Sequence, residues 1–204
     1  MKLYTMSGAC SLTDHIVLEW IGHPYEVHVL ERGQQREPAY MAINPFGGVP
    51  ALVLDNGKVL TQNVAILSYL ADRYPQAGLG GEGIEGRAEV MRWLCYINSD
   101  VHAGFKPLFG PNLFVEDATL QEVMQNKARA RLREMFGVLN NRLAGREWLC
   151  DAASIADPYL FVVTRWARGK QVDLSGFDHL DAFFERMRAN AGVKAAMKAE
   201  GLTP

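Results

Sequence analysis

The stretch KLYTMSGACSLTDHIVLEW, residues 2–20, carries the clearest information about the fold. Residues 1–5 predict a short apolar strand, and residues 12–20 predict an amphipathic helix because their apolar side chains recur on one helical face. Cys10 and Ser11 therefore place a thiol and a hydroxyl where the strand turns into the helix. A helix N-terminus has unpaired N–H groups and partial positive charge, which favours a thiolate or another anion. This junction is the first candidate site, against the alternative that Cys10 is an inert core residue.

The residues that follow extend this unit into a small α/β domain. Alternating apolar residues predict strands, and helical spacing predicts helices. The predicted elements are a helix ending at Gly22, a strand at 25–29, a brief helix at 38–41, strands at 51–54 and 58–60 joined by the turn Asp55-Asn56-Gly57, and a helix capped by Thr61. Asn and Gly tolerate the positive φ that hairpin turns require. Residues 1–77 are thus predicted to have the order β-α-β-α-β-β-α, with a parallel crossover between the first two strands.

The chain changes character at residues 78–86, where glycines cluster and predict a linker. From 87 to 204 the apolar residues recur at helical spacing, which predicts an all-helical domain. Within it, the capping-box variant Ser154-Ile-Ala-Asp157 opens a very apolar helix that is expected at the centre of a bundle. Prolines at 107 and 111 are expected to end or kink the helix that carries His102.

Composition excludes several classes of function. The 204 residues are 49% apolar, and 21 basic against 23 acidic residues give a net charge of −2, so neither nucleic acid nor an anionic membrane is an expected partner. No apolar run is long enough for a membrane span or a signal peptide, which predicts a cytoplasmic protein. Cys10, Cys95 and Cys150 are odd in number and widely spaced, so reduced thiols are expected, with no disulfide framework and no zinc or other metal site. The remaining histidines are expected on surfaces and turns, without a chemical role: His15, His23, His28 and His179.

An α/β domain with a thiol at its first strand-to-helix junction and Val49-Pro50 entering a later strand resembles the thioredoxin-like fold. The resemblance implies a cis proline beside the thiol, which leaves the backbone of Val49 free to pair with a peptide-like ligand. A bound γ-glutamyl-cysteinyl-glycine, glutathione, could add to that edge as a short strand. Its thiol would then lie beside Cys10 and Ser11. The alternative is that residues 44–50 form an ordinary loop.

Together with the helical half, the chain resembles the cytosolic glutathione S-transferases, and more narrowly the bacterial beta class. The resemblance runs nearly end to end and rests on five segments: Gly8 to Leu12, Asn44 to Leu54, Leu60-Thr61 with Ala65-Ile66, His102 with Gly104-Phe105 and Pro107-Leu108-Phe109, and Ile155-Ala156-Asp157. It implies a homodimeric transferase that conjugates glutathione, as co-substrate, to small electrophilic hydrophobic molecules. Detoxification is the role that the resemblance implies.

The resemblance also implies roles for single residues. Cys10 is expected to contact the glutathione sulfur and to be able to form a mixed disulfide, Ser11 to supply a neighbouring hydroxyl, and His102 to reach the sulfur from the helical half. The residues expected to hold glutathione are Ala9, Cys10, Val49, Pro50, Gln62, Asn63 and Asp100. Aromatic residues that could line an acceptor pocket, against the alternative of core packing, are Phe105, Phe109, Phe114 and Trp166.

Four residues depart from the class pattern. Gln62 and Asn63 stand where a Glu and a small residue are usual, Cys95 replaces an Asn, and Ala103 replaces a Lys. Gln62 can still accept a hydrogen bond from the glutamyl ammonium, at roughly half the strength of a carboxylate. These changes bear on glutathione affinity rather than on the fold.

Conjugation requires the glutathione thiolate. A helix terminus contributes about 0.3–1 kcal/mol, less than one unit of thiol pKa, so other donors must add to it. The candidate donors are the Ser11 hydroxyl, the Cys10 S–H and a cationic His102. We hypothesise that Ser11 and the backbone N–H groups near Cys10 hold the sulfur while His102 assists. Two alternatives use the same site: a glutathione-dependent thiol-disulfide reductase or peroxidase acting through a Cys10 mixed disulfide, and a non-catalytic ligand-binding protein.

Overall fold

The computed structural model describes residues 1–203, and its first half has the predicted element order. Gly22, in the left-handed conformation at φ 70°, ends the first helix as expected. The elements are β1 (Lys2–Met6), α1 (Leu12–Ile21), β2 (Glu26–Leu30), α2 (Pro38–Met41), β3 (Ala51–Val53), β4 (Val59–Thr61) and α3 (Asn63–Arg73).

The four strands form one mixed sheet in the order β2-β1-β3-β4. β1 pairs with β2 in parallel and with β3 in antiparallel, so Leu3 lies between Val27 and Leu52. Tyr4 pairs with Ala51, and the two strands run in opposite directions. The end of β1 therefore lies beside the start of β3, which brings the turn after β1 next to the residues before β3.

The second half is helical, as predicted. α7 is buried along most of its length and packs against α1, α4 and α8, which confirms its place at the centre of the helices. The helices are α4 (Gly83–Tyr96), α5 (Lys106–Phe109), α6 (Ala118–Arg142), α7 (Ala156–Gly169), α8 (Asp178–Ala189) and α9 (Ala191–Ala199). A π-helical segment, Ile97–His102, continues α4. Among residues 1–203, no helix has the length and apolar character that a membrane crossing requires.

One half of the predicted capping box forms: the Asp157 carboxyl accepts from the Ser154 N–H, whereas the Ser154 Oγ accepts from the Ala156 N–H and not from that of Asp157. Both oxygens of the buried Asp157 carboxyl are used: Oδ1 accepts from the Leu149 N–H at 2.9 Å, and Oδ2 accepts from the Ser154 N–H at 2.8 Å and from its hydroxyl at 2.9 Å. Burial raises the pKa of Asp157 to about 6, although these hydrogen bonds oppose the shift. Hydrogen bonds to this buried carboxyl therefore hold the turn before α7 in place.

Three local expectations need correction. α4 begins at Gly83, inside the predicted linker, and its buried apolar residues Val90, Trp93 and Leu94 pack on the core. Thr61 is the last residue of β4 and does not cap α3; Gln62 precedes that helix with φ 72° and makes no side-chain cap. α9 was not predicted, and its apolar residues pack against α1. The division into two domains stays a prediction, since one continuous core includes residues of both halves.

Candidate active site

Two cavities meet at the turn after β1. The larger has a volume of about 840 Å³ and the smaller about 130 Å³. Cys10, Val49 and His102 line both cavities, so a group bound at this junction faces both spaces. Cys10 and Val49 of the first half thus lie beside His102 of the helical half, although the three residues are far apart in sequence.

Cys10 and Val49 are joined by a hydrogen bond across the sheet edge. The Cys10 Sγ donates to the Val49 carbonyl oxygen at 3.3 Å, and the Val49–Pro50 peptide is cis, as the resemblance implied. Within residues 1–203 the Val49 N–H has no hydrogen-bond partner. The backbone at Val49 therefore offers a donor and an acceptor beside the thiol, which is the pattern that pairing with an extended peptide needs.

The Cys10 thiol is held in its protonated form. Burial, and then the nearby Asp14 carboxyl, raise the pKa of Cys10 to about 12, and the backbone N–H groups of Cys10 and Ser11 lower it only in part. The expectation that the helix N-terminus favours a thiolate is therefore wrong for this residue, because desolvation outweighs the helix terminus. At neutral pH Cys10 is a hydrogen-bond donor.

Ser11 is not brought to either cavity. Its side chain is fully buried, and its Oγ accepts from the Met6 N–H at 3.3 Å and lies 2.8 Å from the Thr5 hydroxyl. Thr5 is in turn 2.8 Å from the Glu200 carboxylate. A carboxylate only accepts, so Thr5 donates its single proton to Glu200 and Ser11 donates to Thr5. The Ser11 proton is thus used inside the protein and is not free to reach a ligand sulfur.

Glu200, which follows α9, anchors the same turn from behind. Its carboxylate accepts from the Gly8 N–H at 3.0 Å and pairs with His15 Nδ1 at 2.9 Å, and its backbone oxygen accepts from the Ser7 hydroxyl at 2.8 Å. The Trp166 indole donates to the Gly8 carbonyl at 2.9 Å. The expectation of a surface His15 is wrong, because the ring is completely buried against this carboxylate. The end of the chain therefore helps to position residues 7–11.

His102 is the first of three side chains joined by hydrogen bonds. Its Nδ1 lies 2.6 Å from the Tyr159 hydroxyl, which donates to Asn98 Oδ1 at 3.0 Å. Because the Tyr159 proton goes to Asn98, His102 Nδ1 carries the proton of its own hydrogen bond, and Nε2 is left with a lone pair. Burial, and then Lys106, lower the pKa of His102 to about 4. The histidine is neutral at pH 7, which corrects the expectation of a cationic His102.

The predicted glutathione-binding residues are partly assembled around the smaller cavity. Pro50, Gln62 and Asn63 line it, with Gln62 exposed at its rim, whereas Ala9 lines the larger cavity. Asn63 is buried, and its side-chain amide donates to the Cys10 carbonyl at 2.8 Å and to Asp14 at 3.0 Å. Asn63 therefore holds the turn in place.

One predicted site residue and one departure from the class pattern lie outside this arrangement. Asp100 is exposed, and neither of the two cavities is lined by it. Cys95 is also exposed and lies outside both.

The four aromatic candidates separate into two pairs. Phe109 and Trp166 line the larger cavity with ring centroids 5.1 Å apart at 89°. Phe105 is fully buried behind them against Phe136, and Phe114 is 56% exposed and lines neither cavity. The structure thus brings two of the four to the larger cavity. Helical spacing alone does not distinguish a residue of a cavity wall from a core residue, so the sequence could not separate the two pairs.

Sequence reasoning missed several residues of the site. Asn98 stands four residues before His102, and Lys170 four residues after Trp166, so helical spacing from the predicted residues was an available signal for both. Arg32 and Tyr159 gave no such signal: Arg32 lies in a loop, and Tyr159 meets His102 across 57 residues.

Comparison with known proteins gives a consistent result. The family described as "Glutathione S-transferase, N-terminal domain" matches residues 9–73, and "Glutathione S-transferase, C-terminal domain" matches residues 90–191. The chain is 49% identical over 204 residues to glutathione S-transferase GST-4.5 of Xanthomonas campestris pv. campestris, covering 99% of this chain and 100% of that protein.

Solved structures agree with these matches. A glutathione S-transferase from Xylella fastidiosa has 45% identity and a TM-score of 0.95, with 99% of each chain covered. A bacterial beta class glutathione S-transferase of Sphingomonas chungbukensis has 33% identity and a TM-score of 0.88, with 100% of each chain covered. The resemblance inferred from the motifs is confirmed.

Proposed function

Because this chain belongs to the glutathione S-transferase family, we propose that it joins the sulfur of glutathione to the electrophilic carbon of a small apolar molecule. The observation that carries this proposal is the junction at Cys10, Val49 and His102, where the two cavities meet. One cavity offers an unpaired backbone N–H for a peptide, and the other offers aromatic walls for an acceptor. The glutathione sulfur, placed at the junction, then faces the acceptor in the larger cavity.

The unpaired Val49 N–H and its carbonyl support the placement of the cysteinyl part of glutathione. The smaller cavity, at about 130 Å³, has room for only part of a tripeptide. The glutamyl end then extends to the exposed rim at Gln62, where the side-chain oxygen can accept from its ammonium. This placement uses the chain's backbone for affinity and one neutral side chain for orientation.

The Cys10 thiol supports activation of the glutathione sulfur because it can donate a hydrogen bond to that sulfur. Its raised pKa keeps the S–H bond at neutral pH, and that proton can turn from the Val49 carbonyl to the glutathione sulfur. A hydrogen bond to the charged form lowers the pKa of the glutathione thiol. Ser11 has no direct part in this step, because its proton is used by Thr5.

His102 supports removal of the thiol proton. Its Nε2 carries a lone pair, since Nδ1 donates to Tyr159. A thiolate formed next to the ring favours the imidazolium and so raises the low pKa of His102. The thiolate then attacks the electrophilic carbon and the new C–S bond forms. The bond from that carbon to the leaving group breaks, the leaving group departs with the electron pair, and the proton held by His102 passes to solvent.

Two measurements test the proposal: glutathione binding by calorimetry, and conjugation to 1-chloro-2,4-dinitrobenzene. We expect saturable binding and turnover, and we expect Cys10→Ala to shift the pH dependence of kcat/KM upward by about half to one unit, because a donor to the thiolate is lost. Cys95→Ser is the matched control, since Cys95 lies outside both cavities. Absence of both binding and turnover would overturn the proposal, and binding without turnover would favour the non-catalytic alternative.

Thiol-disulfide exchange is the second candidate, and the exposure of the Cys10 thiol to both cavities favours it. The raised pKa of Cys10 opposes it, because the thiolate is the attacking species. Intact mass of the protein treated with oxidised glutathione separates the two. Conjugation alone predicts slow or no addition, whereas the exchange route predicts a rapid gain of about 305 Da that Cys10→Ala abolishes.

A homodimer, a cytoplasmic location and a detoxifying role complete the proposal. Phe46, in the loop before β3, is 72% exposed, and in this proposal it is an apolar contact that a second subunit covers. The three cysteines are free, in keeping with a reducing compartment. Light scattering after size exclusion is expected to give twice the 22.7 kDa of one chain, and a monomer mass would contradict the dimer.

A further inference from the structure

We propose that the preferred acceptors of this enzyme are aromatic electrophiles that carry a negative charge, such as a ring carboxylate, and that Lys170 and Arg32 bind that charge. The inference rests on the proposed function and names the class of its second substrate. Both cations line the larger cavity together with Phe109 and Trp166. The cavity therefore combines a flat apolar surface with positive charge.

The aromatic wall is rigid. Trp166 is fixed by its indole N–H, which donates to the Gly8 carbonyl at 2.9 Å. Phe109 stands edge-to-face against it, with ring centroids 5.1 Å apart. Buried Phe105 supports both rings from behind at 5.5 and 5.8 Å. A preorganised edge-to-face pair favours a planar aromatic guest, because aromatic rings prefer offset or edge contacts with one another.

Lys170 lies at the end of this wall. Its Nζ is 5.1 Å from the centroid of the Phe109 ring, so the ammonium is held over the aromatic surface. Its backbone is fixed as well, because the Lys170 carbonyl accepts from Arg129 Nε at 3.0 Å. A lysine whose stem and backbone are both held loses less conformational freedom when it binds an anion.

The charge of Lys170 is unpaired, whereas several arginines of the helical half are paired. Arg168 pairs with Asp181, Arg133 with Asp173 and Arg142 with Glu89. Across residues 1–203, neither Lys170 nor Arg32 has an ion-pair partner. A cation at a cavity wall with no carboxylate of its own is available to a ligand.

The balance of charge in the larger cavity is positive. Among residues 1–203, Glu31 is the one carboxylate that lines it, and it is exposed next to Arg32. His102 adds no charge, since it is neutral. Two cations against one carboxylate, beside an apolar wall, select for an anionic group on an otherwise apolar molecule.

The matched pair 4-chloro-3-nitrobenzoate and 4-chloro-3-nitrobenzamide tests this selection. In both, the glutathione thiolate attacks the ring carbon that bears chlorine, the C–S bond forms, and the C–Cl bond breaks with chloride leaving with the electron pair. The thiol proton goes to solvent, and the carboxylate or amide is unchanged. Each kcat/KM is divided by the uncatalysed rate constant of the same acceptor, so that intrinsic reactivity cancels.

We expect the corrected kcat/KM to favour the carboxylate by about tenfold, the size of a charge-assisted contact at a partly exposed site. Lys170→Met, which keeps the stem, is expected to remove most of this preference through KM of the carboxylate, with less than about a twofold change for the amide. Lys170→Arg keeps the preference, and Arg32→Gln reduces it by a smaller factor. Rising salt weakens the preference of the wild type.

Lys194→Met is the control, because Lys194 is an exposed lysine of α9 outside both cavities. Equal corrected rates for the two acceptors, or an equal loss on both in Lys170→Met, would overturn the inference while conjugation itself stands. If neither acceptor is conjugated by a wild type that does conjugate 1-chloro-2,4-dinitrobenzene, the inference fails and the proposed function stands. If the dinitrobenzene substrate is not conjugated either, the proposed function fails as well. The amide rate reports whether each variant is folded.

Discussion

Asp157 and Glu200 are both buried carboxyl groups surrounded by hydrogen-bond donors, yet they differ in where the donors come from. Those of Asp157 lie three and eight residues away, in the turn before α7. Those of Glu200 lie 185 to 195 residues away, in β1, the turn after it and α1. The first carboxyl closes a local turn, and the second connects the two ends of the chain at the candidate site. Loss of the first is expected to affect stability alone, and loss of the second to affect activity as well.

Glu200→Ala is expected to have the largest effect. The substitution leaves the Thr5 hydroxyl, the Gly8 N–H and His15 without their shared partner in the interior. Breaking a buried pair of this kind costs about 3–5 kcal/mol of unfolding free energy. Because Gly8 belongs to the turn that carries Cys10, kcat/KM for the dinitrobenzene substrate is expected to fall at least tenfold in the folded fraction.

Urea unfolding and steady-state kinetics measure the two effects of Glu200→Ala. Glu122→Ala, at an exposed glutamate of α6, is the control and is expected to change neither. A variant that is destabilised but fully active once folded would show that residues 7–11 keep their position without Glu200.

Asp157→Ala is expected to destabilise the protein by about 2–3 kcal/mol, because two backbone N–H groups lose their acceptor in a buried turn. The activity of the folded fraction is expected to stay within about twofold, since the turn lies outside both cavities. An activity loss as large as that of Glu200→Ala would remove the distinction between the local and the long-range carboxyl.

The buried Asp157 carboxyl is also expected to make the stability of the protein depend on pH. Burial raises the pKa of Asp157 to about 6 in the folded state, above its unfolded value of about 3.9. The folded state therefore binds this proton more tightly than the unfolded state. The free energy of unfolding increases by at most about 3 kcal/mol as the pH falls from 7 through 6 toward 4. Asp157→Asn is expected to lack this gain. An identical pH dependence in wild type and Asp157→Asn would contradict the raised pKa.

The same contrast explains what the sequence can predict. The order of strands and helices through α3, the stop at Gly22 and the Asp157 half of the capping box depend on neighbours within a few residues, and each was predicted. The inward hydrogen bond of Ser11 and the burial of His15 depend on Glu200, from the other end of the chain, and neither was. The local helix terminus favours a thiolate at Cys10, whereas burial, which the sequence does not reveal, sets its protonation.

Substitutions at His102 and its partner Tyr159 are expected to have effects of intermediate size on activity. Because its pKa is lowered to about 4, kcat/KM of the wild type is expected to show no titration of a group near 6.5, and to rise with pH only as the glutathione thiol ionises. His102→Ala is expected to lower kcat/KM by about tenfold, less than the roughly hundredfold low end for a general base, because a ring whose pKa is about 4 is a weak proton acceptor. Tyr159→Phe is expected to give a smaller loss, since His102 keeps its ring but loses the hydrogen bond that orients it. A cationic histidine would instead make the rate fall as pH rises through 6 to 7.

Gln62→Glu is expected to have the smallest effect, because the new carboxylate stands at an exposed rim in water. A charged acceptor binds an ammonium about twice as strongly as a neutral one, so KM for glutathione is expected to fall about two- to fivefold with kcat unchanged. The two side chains have the same shape, and the positive φ of residue 62 is shared, so backbone strain cancels in the comparison. The gain is expected to shrink with added salt, as exposed ion pairs are screened. A salt-independent change, or one in kcat, would mean that residue 62 acts on the turn that holds Cys10 and not on the glutamyl ammonium.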